Sequence, residues 1–422
     1  MEKNNNSTTA KSAKKNRISH PIFNLTVIVS ALGYFVDMYD LLLFLIVRKP
    51  SLEYMGYFGQ ANNDWGIFLL DMQMAGMLLG GIFWGVIGDK KGRLNVLFGS
   101  ILLYSAANIA NAFATNISFY AVTRVFAGIG LSGELGAAVT LVIETLPKKY
   151  RGYGTAIVAS VGIMGSVAAA LVGDFLHWQT AYIIGGCLGI VLLILRLKMF
   201  EPLLFVSLKE TNVKKGDFLS LFTNKKRFFK YLNCILIGIP TWFVVGVLIN
   251  NSDQFAKLFN ISDSIKPLYP IMYTYIGLVF GDIASGFSSQ LLKSRKRIVL
   301  IFLIMAFILV AFYLFFAYNL TVTEFYILCV LIGFSIGYWA VFVTIGAEQF
   351  GTNLRATVAT TVPNFVRGMT ILITGIYALL KINMSIIDAA IIVGIVTFGI
   401  AFIALWRLEE TFHKDMNFLE DY

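Results

Sequence analysis

Runs of about 20 largely apolar residues, the length a helix needs to cross the hydrocarbon layer of a bilayer, recur along nearly the whole chain. They fall near 22–47, 65–87, 95–114, 119–144, 152–173, 180–200, 231–251, 268–291, 298–318, 323–348, 356–380 and 385–407. Of the 422 residues, 14% are charged and 57% are hydrophobic, against about 25% charged in a soluble globular chain. The predicted fold class is therefore an all-α integral membrane protein with twelve transmembrane helices. A charged stretch at 201–230 is too polar to span and divides the helices into two sets of six. The expected organisation is a cytoplasmic tail over 1–21, an N-terminal half over 22–200, a cytoplasmic linker over 201–230, a C-terminal half over 231–407 and a cytoplasmic tail over 408–422. The N-terminal tail is polar and basic, and the run after it is too long and too acidic for a cleaved signal peptide.

Basic residues orient such a protein, because Lys and Arg stay on the cytoplasmic side. With the N-terminus inside, 27 of the 34 Lys and Arg fall in inner segments and five in outer loops, and two, Arg124 and Arg367, lie within spans. This predicts cytoplasmic termini. It also accounts for the +10 net charge through the anionic inner leaflet, without nucleic acid. Cys187, Cys234 and Cys329 all sit in apolar runs without metal-ligand spacing, as small packing residues do.

The halves repeat each other. Val139-Thr-Leu-Val-Ile-Glu144 with Arg151 matches Val343-Thr-Ile-Gly-Ala-Glu348 with Arg355 at an offset of 204, and the same offset carries Arg93 onto Arg297. Duplicated six-helix halves are the architecture of transporters that rock around a midplane site.

Two motifs sharpen this reading. The turn Gly85-Val-Ile-Gly-Asp89-Lys-Lys-Gly92-Arg93 resembles the loop signature Gly-x-x-x-Asp-Arg-x-Gly-Arg of the major facilitator superfamily, with Lys90 at the usual Arg. The fourth helix, Arg124-Val-Phe-Ala-Gly128-Ile-Gly130-Leu-Ser-Gly133-Glu134, followed by Pro147 and Arg151-Gly152, resembles the metabolite–proton symporter branch. The resemblance implies a major facilitator fold with pseudo-symmetric halves. It also implies gating by Asp89 and Arg93, which lock the outward-facing state, and by Glu144, Arg151 and their repeats Glu348 and Arg355. Glu144 and Arg151 are expected to pair across their turn. The stretch Tyr34 to Phe44 and the tail from Glu410 are similar to a bacterial subgroup of phagosomal amino-acid transporters and siderophore carriers.

A charge in a span costs at least ~2.5–3.5 kcal/mol on insertion scales and marks a functional face. Asp37 and Asp40, three residues apart on one helix face, read as proton carriers, or as structural partners of Arg124. Arg124 and Glu134 join them as proton-coupling candidates. Arg367 offers a fork that matches a carboxylate. It reads as the substrate anchor together with Asn364, or as an internal partner of Asp282. Trp242, Tyr338 and Trp339 fall in the seventh and tenth helices, which line the cavity in the family the chain resembles, and are expected to frame the ligand.

No catalytic set, metal-ligand spacing or phosphate-cradling loop is visible in the sequence, so neither an enzyme nor a cofactor is expected. The expected function is proton-coupled symport of a small polar metabolite, an amino acid or organic acid, across a bacterial inner membrane by a monomer whose partners are substrate, protons and lipid. The rival readings are a carrier for a carboxylate siderophore and a non-transporting nutrient sensor on the same fold.

Overall fold

The structure is a computed structural model that describes residues 24–197, 214–261, 265, 268–415 and 418–420. The expected tail over 1–21 and the first part of the linker, 201–213, lie outside the described residues. Eleven described helices are long and apolar enough to cross a membrane. They are α1 (Leu25–Tyr54), α2 (Gly59–Lys91), α3 (Arg93–Asn111), α4 (Ile117–Thr145), α5 (Arg151–Phe175), α6 (Trp178–Arg196), α7 (Lys225–Ile249), α9 (Arg295–Phe316), α10 (Val322–Gln349), α11 (Arg355–Leu380) and α12 (Ile386–Arg407). The twelfth, α8 (Leu268–Leu291), is made more polar by Asp282, Ser285, Ser289 and Gln290, all of which it buries. Among the described residues there is no strand.

Hydropathy marks the membrane-embedded part of each helix, and several helices run on past it. α1 continues through Pro50 to Tyr54, taking Arg48 and Lys49 out of the expected loop. α2 starts at Gly59, and its first turns carry Gln60, Asn62 and Asp64. α7 starts at Lys225, where the Asn224 side chain accepts from the Lys226 and Arg227 amides at 2.9 and 3.3 Å, a side-chain cap of the usual kind. α7 ends in a π-helical turn, Val244–Ile249, and α11 holds Pro363 in its interior.

The repeat is visible in the backbone. α4 is broken after Leu131 and resumes at Glu134; α10 is broken after Ser335 and resumes at Trp339. The offset of 204 carries Leu131 onto Ser335 and the end of α4, Thr145, onto the end of α10, Gln349.

Within the first half α1 packs along α5, and α2 along α4; the halves meet through α2 against α11 and α5 against α8. The second segment of α4 crosses α11 at Gly136, where a Cβ would stand 2.3 Å from the Thr360 Cα. Small residues permit such approach in the absence of a hydrophobic drive between helices.

On the face that carries the basic loops, the C-terminal tail is bonded to the second half. Thr352 N donates to Phe418 O at 2.9 Å, and Glu420 accepts from Lys230 at 2.8 Å. Arg295, Lys296 and Arg297 open α9, the wrong sign for a helix N-terminus. Glu410 offsets them. Its carboxylate accepts from the Ser294 hydroxyl and from the amides of Arg295 and Lys296 at 2.9 and 3.2 Å, and from Thr411 and Phe412 within its own turn. Burial works to raise the Glu410 carboxyl, but these hydrogen bonds outweigh it and hold it below the usual carboxylate range.

Because that carboxyl is depressed in the folded state, its contribution is full above the unfolded value of about 4.3 and is lost as pH falls through the folded value. Glu410→Ala is expected to cost about 0.5–1 kcal/mol, discounted for partial exposure. Thermal unfolding in detergent should show a lower Tm for the variant at pH 7 and a shrinking difference below pH ~4. Equal Tm values at pH 7 would remove Glu410 as the cap of α9.

Candidate functional site

Two polar centres join the halves, one at the basic face and one near mid-depth. At the basic face Asp89 closes α2 and reaches across to the first turn of α11. Its carboxylate accepts from Ala356 N at 3.0 Å, Thr357 N at 2.8 Å and the Thr357 hydroxyl at 2.7 Å. An anion at a helix N-terminus satisfies amides that have no partner within the helix. Arg93 stands 3.4 Å from Asp89 and makes a two-pronged contact with Glu144, Nε to Oε2 at 3.0 Å and Nη2 to Oε1 at 2.8 Å. Arg93 also donates to Thr352 O of the other half at 3.3 Å, and Arg355 meets Glu144 at 3.1 Å. Glu144 thus holds one arginine from each half.

This arrangement corrects the pairing expected from the sequence. Arg151 donates to Leu146 O at 3.1 Å, and its expected partner Glu144 is occupied by Arg93 and Arg355. Glu348 meets Arg295 at 3.4 Å and accepts from the Thr411 hydroxyl at 2.8 Å. The offset carries Arg93 onto Arg297, yet it is not Arg297 that meets Glu348. α9 starts two residues before that position, which brings Arg295 to Glu348 in its place.

The second centre surrounds a small cavity between the halves, lined by Tyr34 and Met38 of α1, Trp242 of α7, Tyr275 of α8, Trp339 of α10 and Arg367 of α11 among others. Arg367 is buried. It donates weakly to Asn364 Oδ1 at 3.3 Å and Tyr34 Oη at 3.4 Å, and its guanidinium lies 5.9 Å from the centre of the Trp339 ring. The carboxylate facing it is Asp37 of the other half, 3.9 Å away. Neither Asp37 oxygen has a hydrogen-bond partner among the described residues, and neither does Arg367 Nε. Opposite charges therefore face each other across the interface without the hydrogen bonds that normally compensate desolvation.

The expected alternative partner of Arg367 is engaged elsewhere. Asp282 accepts from Ala340 N at 3.0 Å, where α10 resumes after its break. Asn364 bridges the halves by donating to Ser132 O at 2.8 Å, at the break of α4; its contact with Arg367 positions the guanidinium. Tyr338 donates to Ile237 O at 2.9 Å and packs α10 on α7, outside the cavity lining. Trp242 and Trp339 do line it. Sequence reasoning missed Tyr34, Met38 and Tyr275: among so many aromatic and apolar residues, only the fold shows which face inward.

The remaining charges form a ladder along α1. Gly33, Asp37 and Asp40 lie on one face. Behind Gly33, Glu134 is paired with Arg196, which donates to Glu134 Oε2 at 3.0 Å and to Leu97 O at 2.8 Å. A Cβ at Gly33 would stand 1.9 Å from the Arg196 guanidinium, so only glycine admits the pair there. Arg196 counts among the inner basic residues in sequence, yet it is fully buried. Arg124 makes no ion pair with a carboxylate among the described residues. It donates to Asn111, Asn108 and Gln73 at 3.3–3.5 Å and sits among the rings of Phe44, Tyr120 and Tyr182 at 5.0–5.8 Å. Asp40 is buried beside Gly185 with neither oxygen hydrogen-bonded, and Arg124 is its main compensating charge. No group of His, Cys, Asp and Glu among the described residues has the makings of a metal site.

Comparison with known proteins agrees with this geometry. The sequence model of the Major Facilitator Superfamily matches residues 25–369. The chain is 34% identical to the niacin transporter NiaP of Acinetobacter baylyi, over 33% of the chain and 34% of that protein. It is 27% identical to a protein of Bacillus subtilis provisionally named as the niacin/nicotinamide transporter NiaP, over 87% of the chain and 92% of that protein. It is 28% identical to the 4-hydroxybenzoate transporter PcaK of Pseudomonas putida, over 42% of each. Of the first and third of these relatives the chain thus spans less than half the length. Among solved structures it superposes on the proton:xylose symporter XylE with a TM-score of 0.74 at 14% identity, covering 94% of this chain and 98% of that one. For FucP in its outward conformation the values are 0.71 and 12%, with 92% and 99% covered. At these identities the likeness shows the fold alone.

Asp89→Ala would leave the Ala356 and Thr357 amides and the Thr357 hydroxyl without their acceptor, a cost of roughly 1–3 kcal/mol. The expected result is a looser basic face. A cysteine in place of the buried Thr360, in a background with Cys187, Cys234 and Cys329 replaced, should be alkylated several-fold faster in the Asp89→Ala protein. An unchanged rate would show that Asp89 does not hold the halves together.

Proposed function

The chain belongs to the major facilitator superfamily and is a transporter, and we propose that it moves a small polar metabolite of the organic-acid class, amino acids included, by proton-coupled symport. The observation that carries this reading is the incomplete pair of Asp37 and Arg367, 3.9 Å apart across the interface. Each half contributes one charge, and neither charge is fully hydrogen-bonded. Protonation of Asp37 would free the guanidinium for a substrate carboxylate, and the carboxylate would in turn favour the protonated state. That mutual dependence is the requirement for coupling: each ligand binds better when the other is present. Asp40, one turn along α1, is the neighbouring carboxyl that exchanges the proton with Asp37, with Arg124 as its compensating charge, while Glu134, matched by Arg196, supplies a fixed dipole beside it.

The names of the relatives support a carboxylate. Niacin and 4-hydroxybenzoate are both carboxylic acids of small size. The cavity is small, which favours a metabolite over a siderophore, and no observation favours a sensor. We read the basic face as cytoplasmic by the positive-inside rule, with both termini on that side, and take the protein to act as a monomer in a bacterial inner membrane. In that orientation Asp89, Arg93, Glu144 and Arg355 form the cytoplasmic gate, with Glu348 and Arg151 beside it, and alternating access requires the gate to open.

Uptake of labelled organic acids into proteoliposomes, with and without an imposed pH gradient, tests the coupling. Accumulation is expected only with the gradient directed into the lumen. Asp37→Asn and Asp40→Asn should abolish accumulation while sparing counterflow exchange. Wild-type accumulation by both single variants would end the proposal that these residues carry the proton.

Arg367 is tested separately by binding. Arg367→Ala should weaken an acid substrate by roughly ten- to hundred-fold, and Arg367→Lys less, because lysine keeps the charge and loses the fork. The amide of the same substrate should lose much less. Equal losses for acid and amide would assign Arg367 to the fold and not to the ligand.

A further inference from the structure

A second cavity, of about 610 Å³, opens at the basic face between the start of α7 and the end of α12, two helices that pack against each other. Four basic side chains line it, Lys226, Arg227 and Lys230 of α7 and Arg407 of α12, against two carboxylates, Glu409 and Glu420. Glu420 is already engaged: it accepts from Lys230 at 2.8 Å and stands 3.7 Å from Arg227. The side chains of Lys226 and Arg407 are exposed, and neither makes an ion pair or hydrogen bond among the described residues. The lining therefore keeps an excess of positive charge. Helix stability gives no reason for Lys226, since a cation in the first turn opposes the macrodipole. An anion placed there would be attracted both by the lysine and by the N-terminus of α7.

The surface beside the cavity decides the kind of anion. Arg407 ends a stripe on α12 made by Val396, Ile400 and Ile403. Spacings of four, three and four residues put all of these on one helix face. The three apolar side chains are exposed, at 52%, 37% and 55%. Phe229, one turn from Lys226, and Trp406, beside Arg407, are exposed as well, as aromatic residues at a membrane surface are. A soluble anion would use the charges and leave the stripe unused. A phospholipid uses both, with its headgroup among the cations and its acyl chains along the stripe. Basic pockets between membrane helices recognise anionic headgroups on these terms, and the cavity is large enough to admit one.

We propose that this cavity is a binding site for the headgroup of one anionic phospholipid, with Lys226 and Arg407 as the residues that select its negative charge. The inference stands apart from the transport reading, because it uses no residue of the mid-depth centre or of the gate.

The test is mass spectrometry of the intact full-length protein, stripped of lipid in a neutral detergent and titrated with phosphatidylglycerol or phosphatidylcholine of the same acyl chains. The two lipids share the phosphate and differ in net charge. The wild type should take up its first phosphatidylglycerol about ten-fold more tightly than phosphatidylcholine; equal uptake would overturn the proposal. In Lys226→Gln/Arg407→Gln the two lipids should bind within about two-fold of each other, and unchanged phosphatidylcholine binding reports that the variant is folded. Lys90→Gln/Lys91→Gln removes the same charge from exposed positions elsewhere on the basic face and should keep the full preference. A preference that survives Lys226→Gln/Arg407→Gln, or one that falls equally in both double variants, would reduce the effect to diffuse attraction and overturn the site. If the double variant does not fold, the single variants decide: each should lose about three-fold of the preference, and full preference in both overturns the assignment. Glycerol phosphate, a headgroup without chains, should fail to displace phosphatidylglycerol at equal concentration. Displacement there would make this a site for soluble phosphates and overturn the lipid assignment.

Discussion

Charge in hydrocarbon is the constraint from which the rest of the structure follows. A charge without a partner costs several kcal/mol in a medium of low dielectric, so every buried ionisable group dictates which helices must touch. Glu134 and Arg196 tie α4 to α6. Arg93 and Glu144 tie α3 to α4, and Arg355 brings in α11 from the other half. The apolar surfaces, equally content against lipid or against each other, have no such preference. The specific packing of the bundle is therefore written largely in its few polar residues, with glycines such as Gly33 and Gly136 making room for them.

The two centres between the halves differ in how completely their charges are satisfied. At the basic face Asp89 uses both oxygens and Glu144 accepts from two arginines; this is a closed network, and its members gain by staying together. Near mid-depth, Asp37 and Arg367 remain short of partners. A saturated network holds one state, whereas an unsaturated one responds to whatever supplies the missing partner. On the proposed reading the first is the gate and the second the binding site, and the two share α11.

Much of this was legible in the sequence. Twelve apolar runs and the offset of 204 gave the fold class, because span length and repetition are properties of the chain alone. Asp37, Arg367 and Asp89 stood out because charges in or beside spans are rare. What stayed hidden was partnership. Arg196 looked like an ordinary cytoplasmic basic residue at the end of its run, and only the fold turns it inward onto Glu134. Glu144 and Arg151 are close in sequence, yet Glu144 reaches arginines at positions 93 and 355, since the turn directs Arg151 to a backbone carbonyl. Tyr34, Met38 and Tyr275 gave no signal, because an aromatic or apolar residue in a span carries no mark of which way it faces.

The proline inside α11 has a mechanical consequence. Pro363 has no N–H to donate, so the helix lacks one rung of its ladder there and bends at lower cost than elsewhere. The rung is missing between the residues held by Asp89, Ala356 and Thr357, and the one that faces Asp37, Arg367. One helix thus has a clamped end and a reporting end on either side of a joint. Strain arising at either end can be absorbed at that joint before it reaches the other, so small adjustments of the guanidinium need not disturb the clamp, and only a displacement larger than the joint can take up will pull on it.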